Sequence, residues 1–300
     1  MKSSTDMVPI GAAVALLHAR YPDVTHSSLR FLEREGLLRS VRTEGGHRLY
    51  SPDDLARVAL IKRWQKQGSS LEEVRRRLVS RDAMPDPSTL ASAFLDFALD
   101  RKLEDAQHLL LQADTDGLDP QIGFFDVLQP ALVRVGELWE SGRLSVAQEK
   151  EITEVCREIV TEVTLRHTPD FPSGPLLLAA CVEGERHEIG LRMVYGILRM
   201  DGFRARYLGP DVATRFLVDA VQANHPHAIL LSATLETSFY SCREVMEALG
   251  TLYQPESPVP TIFGGKVALT RAAELESLGG TPLAHWDLRG YLQESIRIPA

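Results

Sequence analysis

PLLLAACVEGERHEIG, residues 175–190, decides the fold of the C-terminal half. Its first eight residues are an apolar run of strand length, and the residues from 188 to 200 have helical spacing. Between them lies a strand-to-helix loop in which His187 stands between Glu185 and Glu188, three residues before Gly190. A loop histidine by itself is far more often a helix cap or surface residue than a ligand. Its surroundings carry more. Downstream, FRARYLG, VATRFLVDAVQAN, HAILLSATL, SCREVMEALGTLY, VPTIFGG and VALTRAAELESLG alternate strand and helix patterns. Repeated βα units predict a parallel sheet with helices on both faces. Ligands of such folds bind beyond the carboxyl ends of the strands. The loops at 183–190, 232–237 and 264–265 are therefore expected on one rim, with His187 in the first.

Upstream, AFLDFALDRKLEDAQHLLLQA, FFDVLQPALVRVGELWESG and SVAQEKEITEVCREIVTEV are helical in pattern, and Ser145 with Gln148 three residues on gives the last a capping box. Three or four amphipathic helices predict a small bundle. Before it, SRDAMPDPSTLAS is polar with two prolines and reads as a linker.

Residues 1–80 carry 14 Lys+Arg against 9 Asp+Glu, while the remaining residues carry 19 against 32, so a net charge of −8 conceals a basic head on an acidic body. That distribution suits a head that meets a polyanion. In it, VPIGAAVALLHARY predicts a helix that stops at Tyr21-Pro22-Asp23. A second helix follows over 25–35, capped by Thr25 or Ser27, with Leu29, Phe31 and Leu32 inward and Arg30, Glu33 and Arg34 outward. Two short helices on a tight turn make a helix-turn-helix. GLLRSVRTEGGHRLY then predicts two extended pieces around Glu44-Gly45-Gly46, a wing. SPDDLARVALIKRWQKQG opens with Ser51 as cap, Pro52 at the first helical position and two acids in the first turn; SLEEVRRRL repeats the device.

Length alone suggests two or three domains. No stretch reaches the roughly 18 apolar residues of a membrane helix, and the N-terminus lacks the pattern of a signal peptide, so a cytoplasmic chain without membrane contact is expected. Cys156, Cys181 and Cys242 are scattered and odd in number, which suggests buried thiols rather than disulfides or a zinc site.

Ser27, Leu29, Arg30, Glu33, Gly36, Leu37, Arg42, Thr43, Gly45, Gly46, Arg48, Tyr50, Ser51, Asp54 and Leu55 follow the pattern of the MerR family, which the head resembles as a winged helix-turn-helix DNA-binding domain. The resemblance implies that the 25–35 helix, with Ser27 and Arg30, enters the major groove of operator DNA. Arg42, His47, Arg48 and Tyr50 of the wing would meet phosphates and the adjacent minor groove. Tyr50 is also open to a second reading, as a wing-packing residue. The arginines are read as unpaired cations suited to phosphate oxygens.

Glu185, His187 and Gly190, then Ser232, then Gly264 and Gly265 resemble the D-x-H-x-x-G, S-x-L and G-G elements of flavodoxin-like cobalamin-binding domains. The resemblance implies that His187 coordinates cobalt from below, displacing the cofactor's own nucleotide base into a slot beside the serine and the glycines. Imidazole suits cobalt, and a carboxylate two residues earlier can hold its other ring N–H. Glu185 stands where the family has Asp, and Thr234 where it has Leu. Together the head, cap and cofactor domain resemble the CarH/LitR light-dependent repressors, which implies an adenosylcobalamin whose upper face meets Trp139, Val146 and Glu149. Trp139 alone also reads as a core aromatic. Lys150 occupies the place of the family's second histidine. A protonated ammonium is a poor metal ligand, so any light response is expected to end in a different adduct.

The expected organisation is thus a winged helix-turn-helix at 1–80, a linker at 81–90, a four-helix bundle at 91–170 and a flavodoxin-like α/β domain at 171–300. The expected function is a cobalamin-dependent, light-sensing repressor acting as a dimer or tetramer. The alternative is a MerR-type regulator that senses another tetrapyrrole or works without a cofactor. Cobalamin domains also serve enzymes, but a winged helix has no use there and no substrate barrel fits the remaining length.

Overall fold

The computed structural model describes residues 7–18, 21–43, 45–66, 68–252, 259–284 and 288–295. Glu44 of the expected hairpin lies outside them, as do the expected helix ends at 19–20 and 253. The chain forms two compact units, one running through Pro85 with Gln112–Leu118, the other comprising Asp86–Leu111 and the chain from Asp119.

The first unit contains β1 (Val8–Pro9), α1 (Ile10–His18), α2 (His26–Arg34), β2 (Val41–Arg42), β3 (Arg48–Tyr50), α3 (Pro52–Lys66) and α4 (Leu71–Asp82). Thr25 caps α2: its hydroxyl accepts the Ser28 N–H at 3.1 Å, and Ser28 returns the bond to the Thr25 N–H at 2.8 Å. Ser27 is therefore not the cap. Leu29 and Leu32, three residues apart, turn inward against Leu37, Tyr50, Ile61 and Trp64. Gly36, at φ +71°, ends the helix in the left-handed region. Ser51 with Asp54 and Ser70 with Glu73 form reciprocal caps on α3 and α4. The antiparallel sheet has order β1-β3-β2, with Val8 opposite Tyr50 and Val41 opposite Leu49. The residues ahead of α1 were expected to be helical; instead Val8–Pro9 adds a third strand to the wing, Pro9 lying on an edge where a missing N–H costs nothing.

The second unit opens with the bundle. Its helices are α5 (Pro87–Leu99), α6 (Leu103–Thr115), whose residues from Gln112 are counted with the first unit, α7 (Pro120–Ile122), which runs through a π-turn at Gly123–Leu128 into α8 (Gln129–Glu140), and α9 (Val146–His167). Helix α5 starts inside the expected linker, because Asp86 caps it by accepting the Ser88 and Thr89 N–H groups and Pro87 follows at the first position. The π-turn has a local cause. Pro130 has no N–H to give the preceding turn, and the Gln129 N–H reaches back to the Phe124 carbonyl, five residues away. Phe94, Phe124, Leu128, Ile152, Cys156 and Ile159 are buried along these helices.

The α/β part follows as β4 (Leu176–Val182), α10 (Ile189–Met200), β5 (Arg204–Val212), α11 (Thr214–Asn224), β6 (Ala228–Ser232), a 3₁₀ turn (Glu236–Ser238), α12 (Phe239–Leu252), β7 (Thr261–Gly264), α13 (Lys266–Thr270), α14 (Ala272–Ser277), β8 (Thr281–Pro282) and α15 (Leu288–Ser295). The sheet is parallel throughout, in the order β5-β4-β6-β7-β8. Every residue of β4 is buried. Leu178, Ala180 and Val182 pack with Leu217 and Val245, whereas Leu177, Ala179 and Cys181 pack with Leu191, Leu198 and Leu292. Alternation with period two thus sends one strand into two cores, which is why its sequence is apolar without a break.

Candidate functional site

Strand register aligns the carboxyl end of the sheet. Ser232 lies beside Cys181 of β4 on one side and Gly264 of β7 on the other. The loops that follow these strands consequently meet at one rim, and Glu185 binds them together. Its side chain is fully buried. One carboxylate oxygen accepts the His187 backbone N–H at 2.8 Å and lies 2.7 Å from His187 Nδ1. The other accepts the N–H groups of Thr234 at 2.5 Å and Leu235 at 3.1 Å and the Ser238 hydroxyl at 3.2 Å. Burial works to raise the Glu185 pKa, but the bonds from His187, Thr234 and Leu235 outweigh it and bring it down to about 2. An ionised carboxylate only accepts, so Nδ1 is the protonated nitrogen of the ring. In the neutral imidazole, the Nε2 lone pair is left for a ligand on a ring 61% exposed. The bond to Glu185 raises the His187 pKa against desolvation; the Lys150 charge opposes this and the Glu149 charge adds to it.

Both of these charges stand in the first two turns of α9. Trp139 stands in the last turn of α8 and Val146 begins α9, so the connection between them gathers Trp139, Val146, Glu149 and Lys150 at one end of the bundle. Trp139 is exposed, as is Val146, and so it is not the core aromatic that its neighbours in sequence allowed. Glu149 accepts the Thr153 hydroxyl at 3.0 Å and pairs with the exposed Lys150 ammonium at 3.1 Å.

Gly190 and Gly265 have different reasons for being glycine. A Cβ on Gly190 would meet nothing within 4 Å, so the first turn of α10 faces open space beside the histidine loop. Gly265 sits at φ +99°, and a Cβ there would come within 2.4 Å of the Ala233 carbonyl oxygen. Its absent side chain makes room for the neighbouring backbone. Gly264 is unconstrained, its nearest neighbour 3.8 Å away. Ser232 is buried, and no hydrogen-bond partner for its hydroxyl is found among the described residues. Thr234 contributes its backbone N–H, which any residue but proline supplies, so its departure from the expected leucine leaves that bond intact.

Sequence reasoning missed the supports. Asp211, at φ +54°, accepts the Gly184 N–H at 2.8 Å, donates its own N–H to the Glu185 carbonyl at 2.8 Å and pairs with Arg186 at 3.3 Å. Ser238 and Glu188 were also unassigned. Only the flanking position of Glu188 beside His187 hinted at a role.

In the first unit, Ser27, Arg30, Arg42 and His47 are exposed on α2 and the wing. Two of the expected DNA-facing residues need correction. Tyr50 is fully buried and its hydroxyl donates to Glu33 at 2.7 Å, so it packs the wing and offers nothing to a phosphate. Arg48 is not an unpaired cation: its Nε donates to the other Glu33 oxygen at 2.7 Å. One carboxylate on α2 thereby fastens the wing to the helix.

Residues 19–80 match the MerR HTH family regulatory protein model. Two B12 binding domain models match residues 89–164 and 175–282. The fold of the second unit is shared with the monomethylamine corrinoid protein of Methanosarcina barkeri, at a TM-score of 0.57 and 21% identity over 66% of this chain and 93% of that one. The HTH-type transcriptional repressor CarA of Myxococcus xanthus is 28% identical over 87% of this chain and 89% of its own length. The repressor CarH of the same organism is 30% identical over 82% of this chain and 85% of its own. With that identity sustained across head, bundle and sheet in one order, the chain belongs to the CarH and CarA family of MerR-type transcriptional regulators with B12-binding domains.

Proposed function

We propose that this regulator is a cobalamin-dependent, light-responsive repressor in which His187 Nε2 is the lower cobalt ligand. The observation that carries the reading is the Glu185–His187 pair. A buried carboxylate fixes the ring's tautomer and points its free nitrogen out of the rim of a B12 binding domain. The residues present fit the group. One neutral imidazole is the donor cobalt favours, the Gly190 turn faces open space, and the Ser232 hydroxyl is available to a polar tail. Adenosylcobalamin would be held by His187 and the rim around Ser232, and would supply a cobalt centre able to exchange its own nucleotide base for an imidazole and a light-sensitive cobalt–carbon bond.

Everything else is done by the chain. Glu185 holds the imidazole proton on Nδ1, while Asp211 pins the loop from the β5 side. Trp139, Val146 and Glu149 at the bundle's end are positioned to enclose the upper ligand, with Lys150 beside them in place of a histidine. Ser27, Arg30, Arg42 and His47 read operator DNA, with Arg48 reaching a phosphate from its Glu33 anchor. Each head covers a half-site, so DNA binding requires at least a dimer. Light alters that assembly and with it DNA affinity.

The test uses adenosylcobinamide, a corrinoid without a base of its own, added to the full chain in darkness. Wild type is expected to show the spectrum of a nitrogen-ligated corrinoid, and His187→Ala that of the base-free form. Identical spectra for the two would refute the ligand assignment. With adenosylcobalamin, green light is expected to change oligomer size and operator affinity; no change in either would favour a regulator that senses something other than light.

A further inference from the structure

Glu188 is the N-cap residue of α10, immediately after His187, yet its carboxylate caps no N–H of that helix. The side chain is instead 93% buried in a junction of three elements. It accepts Arg157 Nε from α9 at 2.7 Å and the Tyr207 hydroxyl from β5 at 2.6 Å, and it pairs with Arg192 Nε of α10 at 2.9 Å. The Arg192 guanidinium stacks on the Tyr207 ring at 4.6 Å, so the junction closes on itself. Arg157 also pairs with Glu154 on α9. Of these partners only Arg157 belongs to the bundle.

From this geometry we infer that Glu188 is a positioning residue, coupling ligation at His187 to the seating of α9. This rests on the His187 reading above. Adjacent residues share a peptide unit, so any backbone movement that carries His187 toward a ligand also turns the backbone that carries Glu188. The shift is resisted or passed on, because a buried carboxylate with three cationic or hydroxyl partners cannot release one without exposing the others. Farther along, α9 and α10 are in close contact: a Cβ on Gly196 would fall 2.3 Å from Thr164 Oγ1, leaving no clearance for sliding there. Arg157 lies eight residues, or about 12 Å, along α9 from Glu149. Helix α9 is continuous from Val146 to His167, so a displacement at Arg157 reaches the end that carries Glu149 and Lys150. The junction therefore joins the two sides of the proposed cofactor site through covalent and ionic links.

A double-mutant cycle separates coupling from structural support. Adenosylcobinamide affinity is measured for wild type, Arg157→Met, His187→Ala and the double variant, with the absorption spectrum recorded for each. Arg157→Met is expected to weaken binding roughly five- to tenfold when His187 is present, and less than about twofold when it is absent. A buttress that merely holds the fold would weaken both by the same factor, and that result would overturn the inference while leaving His187 as the ligand. If His187→Ala leaves the spectrum unchanged, the ligand reading fails and the coupling falls with it. Glu188→Gln, which keeps an acceptor for Tyr207, is carried through the same cycle so that the result does not depend on one variant's folding.

Discussion

Replacing Glu185 by glutamine changes one atom, and the structure fixes what that atom must do. Both carboxylate oxygens face donors: the His187 N–H and Nδ1 on one side, the Thr234 and Leu235 N–H groups and the Ser238 hydroxyl on the other. An amide offers one acceptor and one NH₂, so one side must confront a donor with a donor. If the NH₂ turns toward Thr234 and Leu235, two backbone groups lose their acceptor; Ser238 keeps its bond to the Leu235 carbonyl. If it turns toward His187, one N–H is orphaned and Nδ1 must become the acceptor. The ring proton then moves to Nε2, where it blocks the proposed ligand atom. At about 1–3 kcal/mol per unsatisfied buried group, the first arrangement costs the rim roughly 2–6 kcal/mol and the second about 1–3 kcal/mol. The assay is native-state hydrogen exchange at the His187, Thr234 and Leu235 amides of the full chain. Glu185→Gln is expected to speed exchange at one side of the pair by roughly fivefold or more, since each 1.4 kcal/mol is a factor of about ten. Glu185→Asp restores the charge on a shorter arm and should recover part of the protection. Exchange unchanged within about threefold at all three amides would refute the account of Glu185 as the rim's common acceptor.

Other consequences concern both units. Tyr50→Phe should lower head stability by about 1–2 kcal/mol through loss of its bond to Glu33, followed by Trp64 fluorescence in urea, while leaving operator affinity within about twofold of wild type. Arg30→Ala should do the reverse, weakening binding across sequences and reducing its salt slope by about one. Burial raises the Glu33 pKa, but hydrogen bonds from Arg48, Ser40 and Tyr50 outweigh it and leave a net lowering from the ordinary 4.5. Its stabilisation of the head is thus complete above that value and lost as pH falls through the lower, folded one, so acid unfolding should be less steep in Glu33→Gln. Gly265→Ala places a Cβ against the Ala233 carbonyl at a left-handed φ, and should cost roughly 2–4 kcal/mol in thermal unfolding, more than the same change at Gly264.

Local chemistry was legible in the sequence, and pairing across the chain was not. The caps at Thr25, Ser51, Ser70 and Ser145 are formed by partners three residues away, so a linear reading finds them. The apolar run of β4 announced a strand covered on both faces. By contrast, Arg48 and Tyr50 meet Glu33 across 15 and 17 residues, and their exposure in a linear reading followed from not seeing that partner. Glu185 was picked for its bond to His187, two residues on, but its bonds to Thr234, Leu235 and Ser238 span 49 to 53 residues. Two further misses are different in kind. The two-residue strand Val8–Pro9 is too short for any periodicity, and the π-turn before Pro130 arises from a missing N–H whose effect falls on the preceding turn.

The same contrast bears on the asymmetry of the proposed cofactor site. His187 is held by a buried carboxylate that is itself saturated with donors, so its orientation is set before any ligand arrives. At the bundle's end, Lys150 is 73% exposed and ion-paired with a neighbour on its own helix. An ammonium has three donors and no lone pair to offer a metal. The chain therefore prepares one side for coordination and leaves the other with an indole, a carboxylate and a cation, none of which competes with imidazole for cobalt. A regulator built this way can lose its upper ligand without gaining one from the protein at position 150. Under the reading proposed above, any change in assembly would come from how α9 sits, and the Arg157–Glu188 link is the route by which the His187 side would sense it.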